Sequence, residues 1–239
     1  MIEDDWEVMG NGLGNVAQLQ YLPSMFFMKL ARRLGMFVAG LSSGNAVKIE
    51  VGYRGELVGW DLRPITTAVL MGFLNVFKGS DVNLVNANFV AEEAGIQVHE
   101  TILKESADGR PSITLQVFSK QGSLVKIEGA LIRRFGDEPR IIGINEFVTE
   151  AVPAGPMLIV KNQDIPGMIA GISGILAQRN VNIAQMNLSR DCAGGTAISI
   201  TNLDSPADEV TLEQIRSIHG ILNVHQIIID GLPELEICG

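Results

Sequence analysis

The sequence predicts an α+β protein: a mixed α+β module followed by a ferredoxin-like βαββαβ module. Two kinds of period carry that reading. Stretches that alternate apolar and polar residues mark half-buried strands, and they are interleaved with stretches whose apolar residues recur at three- and four-residue steps. A third observation divides the chain. Ala151-Val-Pro-Ala-Gly-Pro156 sets two prolines and a glycine close together, which interrupts helix and strand ladders alike. With 239 residues, 46% of them hydrophobic, there is material for two cores of about 100 residues each, and disorder is excluded as the overall state.

The first module opens with a helix over 21–41. Phe26, Leu30, Leu34, Phe37 and Leu41 fall on one face, and Lys29, Arg32 and Arg33 form a cationic outer face. Three cations in that stretch exclude a membrane span, and the apolar face calls for a partner surface, in this chain or another. Residues 46–53 alternate as a strand. A helix follows over 61–77, with Pro64 in its first turn, an N-cap near Leu62 or Arg63, and Ile65, Val69, Leu70, Phe73, Leu74 and Phe77 at helical spacing. A short apolar piece at 83–86 precedes a helix over 87–94 that Gly95 stops. Residues 96–105 alternate again, with Ile96, Val98, Thr101 and Leu103 as inward candidates. Strands are expected at 113–118 and 124–132, and a last strand pair at 139–148, in a mostly antiparallel sheet.

The second module is more regular. Residues 157–161 read as a central strand, and 166–178 as a helix opened by Pro166, lined by Ile169, Ile172 and Leu176, and ended by an αL residue at Asn180. Strands over 182–190 and 196–201 flank the hairpin-like 191–195. A helix over 211–219, with Leu212, Ile215 and Ile218 inward, leads to a final strand at 223–230.

Composition narrows the function. Eighteen basic against 27 acidic residues give a net charge of −9, which excludes a general attraction to nucleic acid or to anionic membranes. Two cysteines, Cys192 and Cys238, exclude a disulfide framework and fit a reducing, cytoplasmic compartment. The three histidines, His99, His219 and His225, lie on separate elements and make no metal site. The start is acidic, where a targeting peptide would be basic. Gly10-Asn-Gly-Leu-Gly14 lacks a preceding strand and the G-x-G-x-x-G spacing of a dinucleotide loop, and reads as part of a glycine-rich leader. No P-loop, G-x-S-x-G or H-E-x-x-H motif occurs, so no catalytic residues are assigned.

One constellation suits a small zwitterion. A helix opened by Pro166 turns the backbone N–H groups of Gly167 and Met168 toward the preceding loop, where they and the helix dipole favour a carboxylate. Asp164 can take an ammonium, and the amide of Asn182, read as beside the same helix start, can both donate and accept. The plainer alternatives are that Asp164 is a cap and Asn182 a turn residue. Arg54, Arg63, Arg133, Arg134 and Arg140 form a second candidate, an anion site of guanidinium forks. Pairing of Arg133 and Arg134 with Asp137 or Glu138 at the surface is the favoured alternative.

Two resemblances add to these readings. Lys161-Asn-Gln-Asp-Ile-Pro-Gly-Met168 followed by Asn180-Val-Asn-Ile183 resembles the signature of ACT domains, small-molecule sensors of which many bind amino acids. Tyr53-Arg-Gly-Glu56, Asp61-Leu-Arg-Pro64, Val82-Asn-Leu-Val-Asn-Ala87, Glu93-Ala-Gly-Ile96 and 136–145 resemble the intervening, allosteric substrate-binding-like domain of long-form D-3-phosphoglycerate dehydrogenases. The resemblance implies a leader at 1–20, an intervening domain with its leading helix at 21–150, an ACT domain at 156–230 and a tail at 231–239. It implies L-serine, or a similar small amino acid, at the positions of Asn162, Asp164 and Asn182, in an interface between two ACT modules of a homodimer or homotetramer. It also implies that NAD belongs to a dehydrogenase catalytic domain that this chain lacks, fused or separate, so the chain carries no cofactor and is the regulatory half of such a dehydrogenase in L-serine biosynthesis. The alternative is a stand-alone ACT sensor or oligomerisation module acting on an unrelated partner; a third reading is a degenerate paralogue that binds nothing.

Overall fold

The two periods resolve into two sheets in a computed structural model that describes residues 15–42, 44, 46–79, 81–103, 109–132 and 137–229. The expected tail, most of the leader, Cys238, Arg133 and Arg134 lie outside these residues. Helix α1 (Asn15–Ser42) comes first, then β1 (Lys48–Arg54), a 3-10 turn at Gly55–Gly59, α2 (Arg63–Lys78) and α3 (Ala87–Glu93). The strands β2 (Gln97–Ile102), β3 (Ser112–Ser119), β4 (Gly122–Ile132), β5 (Glu138–Ile144) and β6 (Phe147–Ala151) complete the first module. The six strands form one sheet in the order β2-β1-β3-β4-β5-β6. Only β1 and β2 run parallel, and the crossover between them holds α2 and α3.

Local chemistry explains most of these elements. Pro64 stands at the start of α2, with Leu62 as N-cap, where a missing N–H costs nothing. The piece at 83–86 is a turn: Asn83 Oδ1 accepts from the N–H groups of Val85 and Asn86, and Asn86 Oδ1 accepts from Asn83 N–H. On β2 the expected inward set mixes both faces. Val98 is half-buried on the helix side with Glu100, which accepts a hydrogen bond from Thr66, whereas Thr101 is exposed and Leu103 lies over Gly52 on the other face. Side chains alternate strictly along a strand, so the four could not all have pointed inward. Under α2, the buried hydroxyl of Tyr53 is 2.7 Å from Thr66 Oγ1, which satisfies it.

Helix α1 departs most from expectation. It starts at Asn15 rather than 21, and its middle is buried on several sides at once. Leu30 and Leu34 press on Gly129 of β4. On another side α1 crosses α2 backbone to backbone: a Cβ on Gly35 would stand 2.2 Å from the carbonyl oxygen of Val69, and one on Gly72 2.0 Å from that of Arg32. Lys29, Arg32 and Arg33 therefore make no outer face. All three are half-buried, and burial, aided by the neighbouring Arg32, lowers the proton affinity of Arg33. From Phe27 onward the partner surface that the apolar helix requires lies within this chain, whereas Phe26, expected on the same face, is 40% exposed.

The second module follows the expected βαββαβ order. Its elements are β7 (Gly155–Gln163), α4 (Met168–Gln178), β8 (Ile183–Arg190), β9 (Thr196–Leu203), α5 (Glu209–Arg216) and β10 (Ile221–Ile229). The antiparallel sheet runs β10-β7-β9-β8. Helix α5 begins two residues ahead of expectation because Asp208 caps it, its Oδ1 accepting from Thr211 N–H at 2.7 Å. Leu158, Val160, Ile172, Leu176, Leu212 and Ile215 form the core between this sheet and its helices.

The other face of that sheet is covered as well. Met157, Ile159, Ile198, Ile200, Ile227 and Ile229 belong to the same hydrophobic core as α1 and the first sheet. At its end α1 sits so close on β10 that a Cβ at Gly40 would meet Ile227 at 2.7 Å. The Pro/Gly break is a short connection between β6 and β7, fixed by Asn202, whose Nδ2 donates to the carbonyls of Val152 and Ala154 at 3.0 and 2.9 Å.

Because Gly72→Ala drives a methyl into a backbone carbonyl, it should destabilise the chain by about 3 kcal/mol or more. That lowers the melting temperature by roughly 6–12 °C. Gly174→Ala in α4, where nothing lies within 4 Å, should instead be neutral or stabilise by up to about 1 kcal/mol. Calorimetry of the whole chain should show one unfolding transition spanning both modules, with calorimetric and van't Hoff enthalpies in agreement; two separated transitions would contradict the shared core.

Candidate functional site

The candidate site is built where β7 gives way to α4. Asn162, the penultimate residue of β7, points under the helices and is 2% exposed. Its Nδ2 donates to the Gln163 carbonyl at 2.6 Å, while its buried Oδ1 has no partner. An orphaned acceptor of this kind costs about 1–3 kcal/mol, and a ligand donor would recover it. Pro166 and Gly167 then form a tight turn. Gly167 has φ 94° and ψ −10°, the left-handed geometry that a glycine after proline adopts in a type II turn. Pro166 is thus part of the turn rather than of the first helical turn; Gly167 is the N-cap and Met168 the first helical residue. The space around Gly167 is open to 4 Å, so a ligand can approach the N–H groups at the start of α4.

Asp164 is already engaged. Its Oδ2 accepts from Arg190 at the end of β8 at 3.0 Å and from Gly194 N–H at 3.1 Å, and its own N–H donates to the Gly195 carbonyl at 3.0 Å. The Gly194 N–H and then the Arg190 guanidinium hold its carboxyl below the usual carboxylate range. Asp164 therefore ties the β8–β9 hairpin to the start of α4, and both bonds fall on one oxygen, which leaves Oδ1 to accept an ammonium. Within the hairpin, Asp191 binds Thr196 through hydroxyl and backbone N–H, which together with Cys192 N–H bring its carboxyl to about 2. The same carboxylate raises the thiol of exposed Cys192, which is no activated nucleophile.

Asn182 lies elsewhere. It follows the far end of α4, its Nδ2 donates to Asp204 at 2.7 Å, and its carbonyl accepts from Asp204 N–H at 3.1 Å. Since Asp164 is fastened beside one end of β9 and Asn182 beside the other, they are roughly 25 Å apart at the rise of a strand. The two do not flank one helix start within a single chain. Arg190 and Gly194 were missed by sequence reasoning, for good reason: they contact Asp164 from 26 and 30 residues away, with no local spacing to betray the contact.

Among the described residues, Arg54, Arg63 and Arg140 do not converge either. Arg63 is 85% exposed and forks onto Asp61, with both contacts at 2.8 Å. Arg54 pairs with Glu128 on the sheet face away from the helices, and Arg140 with Glu138 at 2.7 Å. Register places Arg54 and Arg140 on one row of that face, Arg54 opposite Ser112, Ser112 opposite Ala130 and Ala130 opposite Arg140. They are three strand spacings, or about 14 Å, apart. Each has its own carboxylate, and Glu138 takes Arg140 as its partner.

Comparison with known sequences agrees with this architecture. The family description of the D-3-phosphoglycerate dehydrogenase intervening domain matches residues 25–145, and that of the ACT domain residues 156–220. Among curated relatives, D-3-phosphoglycerate dehydrogenase of Synechocystis sp. PCC 6803 is 32% identical over 84% of this chain and 36% of its own length. The enzyme of Methanocaldococcus jannaschii is 32% identical over 83% and 37% respectively. The chain thus spans little more than a third of these relatives. A different relation holds with the probable L-serine dehydratase, beta chain, of Bacillus subtilis: 23% identity over 86% of this chain and 92% of that one. With a mixed α/β fold, a six-stranded first module and a ferredoxin-like second module in the matching order, the chain belongs to the D-3-phosphoglycerate dehydrogenase intervening-domain family, joined here to an ACT domain.

Proposed function

We propose that this chain is an amino-acid-sensing regulatory region that binds L-serine between two ACT modules and passes the signal to catalytic domains of the D-3-phosphoglycerate dehydrogenase type. The observation that carries the reading is the β7–α4 corner. A buried orphan acceptor on Asn162, a carboxylate oxygen on Asp164 and the open N–H groups after Gly167 offer, in one place, partners for an ammonium and a carboxylate.

Asn182 enters through a second copy. β8 is the edge of the four-stranded sheet. Two such edges paired antiparallel about a twofold axis bring the Ile183 end of one strand beside the Arg190 end of the other. Asn182 of the partner subunit then stands at the Asp164–Arg190 corner, and two equivalent sites form. Serine bound there favours the paired arrangement, and it can slow attached catalytic domains only by binding one arrangement more tightly than another.

A second reading has its own support. The match spans 92% of the probable L-serine dehydratase, beta chain, which supports the reading that a chain of this span can serve as a separate subunit. On that reading the chain senses serine as the subunit of an enzyme whose catalysis lies on another chain. Both readings share the sensor and differ in the partner.

Titration calorimetry with L-serine, against glycine and D-serine, tests the shared part. Saturable binding of L-serine is expected, weakened about tenfold or more by Asp164→Ala and by Asn182→Ala, since each removes a hydrogen-bond partner of a charged ligand. Absence of heat and of a thermal shift at millimolar serine would remove the sensor reading. Sedimentation at micromolar concentration should show a dimer or tetramer, and a monomer with and without serine would exclude the interface site.

A further inference from the structure

A cleft of about 120 Å³ opens at the seam where the two modules share their core. Its floor is apolar, with Leu41 from the end of α1, Val125 from β4, and Ile159 and Ile198 from the outer face of the second sheet. Its rim is polar, with Asn145 after β5, Lys161 on β7, and Asn223 and His225 on β10. Contributions from both modules mean that the cleft exists only while the seam is closed.

Among the described residues, the rim carries one cation, Lys161, and no carboxylate. Asn145 Oδ1 already accepts from Lys126 N–H at 2.9 Å, so the NH2 is the less committed end of its side chain. Lys161 brings an ammonium. Its nearest anion, Glu146 at 3.1 Å, is half exposed, and such surface pairs are weak enough for a ligand carboxylate to compete. Burial lowers the proton affinity of the His225 ring, which is neutral at pH 7 and can take either role toward a ligand. A ligand ammonium would be repelled by Lys161 and would find amide oxygens but no carboxylate among the lining residues, which disfavours amino acids here. The volume is that of about four liquid-water molecules, room for an aliphatic chain of about four carbons and far too little for a nucleotide.

We propose that this seam cleft binds a short-chain aliphatic carboxylate, its head on Lys161 and the Asn145 and Asn223 amides and its tail on the apolar floor between the modules. The ligand bridges both modules and stabilises their closed seam. The site is separate from the β7–α4 corner and does not rest on the serine reading.

The test uses the full chain, with methyl NMR of Ile159 and Ile198 followed during titration with butyrate and, separately, 2-oxobutanoate. Butyramide, butylamine and acetate serve as controls for charge, sign and tail. Saturable methyl shifts are expected with at least one of the two acids, and whichever binds more tightly tells a simple fatty acid from a 2-oxo acid. Lys161→Gln, a change at a solvent-exposed head group, should weaken binding about tenfold, while Asp164→Ala should leave it unchanged. Methyl shifts that fail to saturate with both acids would overturn the proposal. So would equal binding of butylamine or butyramide, or shifts indifferent to Lys161→Gln.

Discussion

The structure depends on one close approach, the crossing of α1 over α2 at Gly35 and Gly72. With no side chain at either position the two backbones meet directly, and α1 lies low enough to touch α2, the first sheet and β10 together. Any bulk there would lift the helix. The core of the first module would lose Leu30, Leu34 and Phe37 from their places, and the second sheet would lose the cover on its outer face. Glycine weakens an isolated helix, so its presence twice at one crossing is a choice of tertiary contact over local propensity.

Much of the fold was legible because it is written in local periods. The runs around β3, β4, β7 and β9, the proline at the start of α2, and Asn180 at the end of α4 with φ 55° each declare themselves within a few residues. What escaped is what depends on distant partners. The heptad-like run from Phe26 to Leu41 reads as a one-sided helix, and nothing local says that Lys29, Arg32 and Arg33 must share the space beside it. Nor does the apolar run of β7 say that its second face, at Met157 and Ile159, is covered by another module of this chain. The break at 151–156 reads as a linker or a sharp domain entry because proline and glycine stop ladders. Whether a stop is also flexible is decided by Asn202, some fifty residues further on.

The candidate site was legible by the same rule. Gly167 and Asp164 show in the sequence because they flank the proline ahead of α4, whereas the left-handed turn at Gly167 shows only in the structure. The sequence hides that Asp164 is held by the β8–β9 hairpin, and that Asn182 belongs to the opposite end of the sheet. A motif read along the chain joins residues that one molecule keeps apart, and twofold symmetry is the operation that reunites such ends. Asp164 beside the hairpin and Asp191 within it already hold the loop in shape, so a ligand would meet a preformed corner and spend little in ordering it.

The seating of Gly40 on Ile227 gives α1 a mechanical character. Twenty residues separate the crossing at Gly35 from Asn15, which in helical geometry is an arm of about 30 Å. A tilt of about 5° at the fulcrum swings the far end through roughly 3 Å. A small displacement of the second sheet, imposed at the short end, would emerge enlarged at the long one. In its geometry α1 has the proportions of a lever, with the short arm on β10.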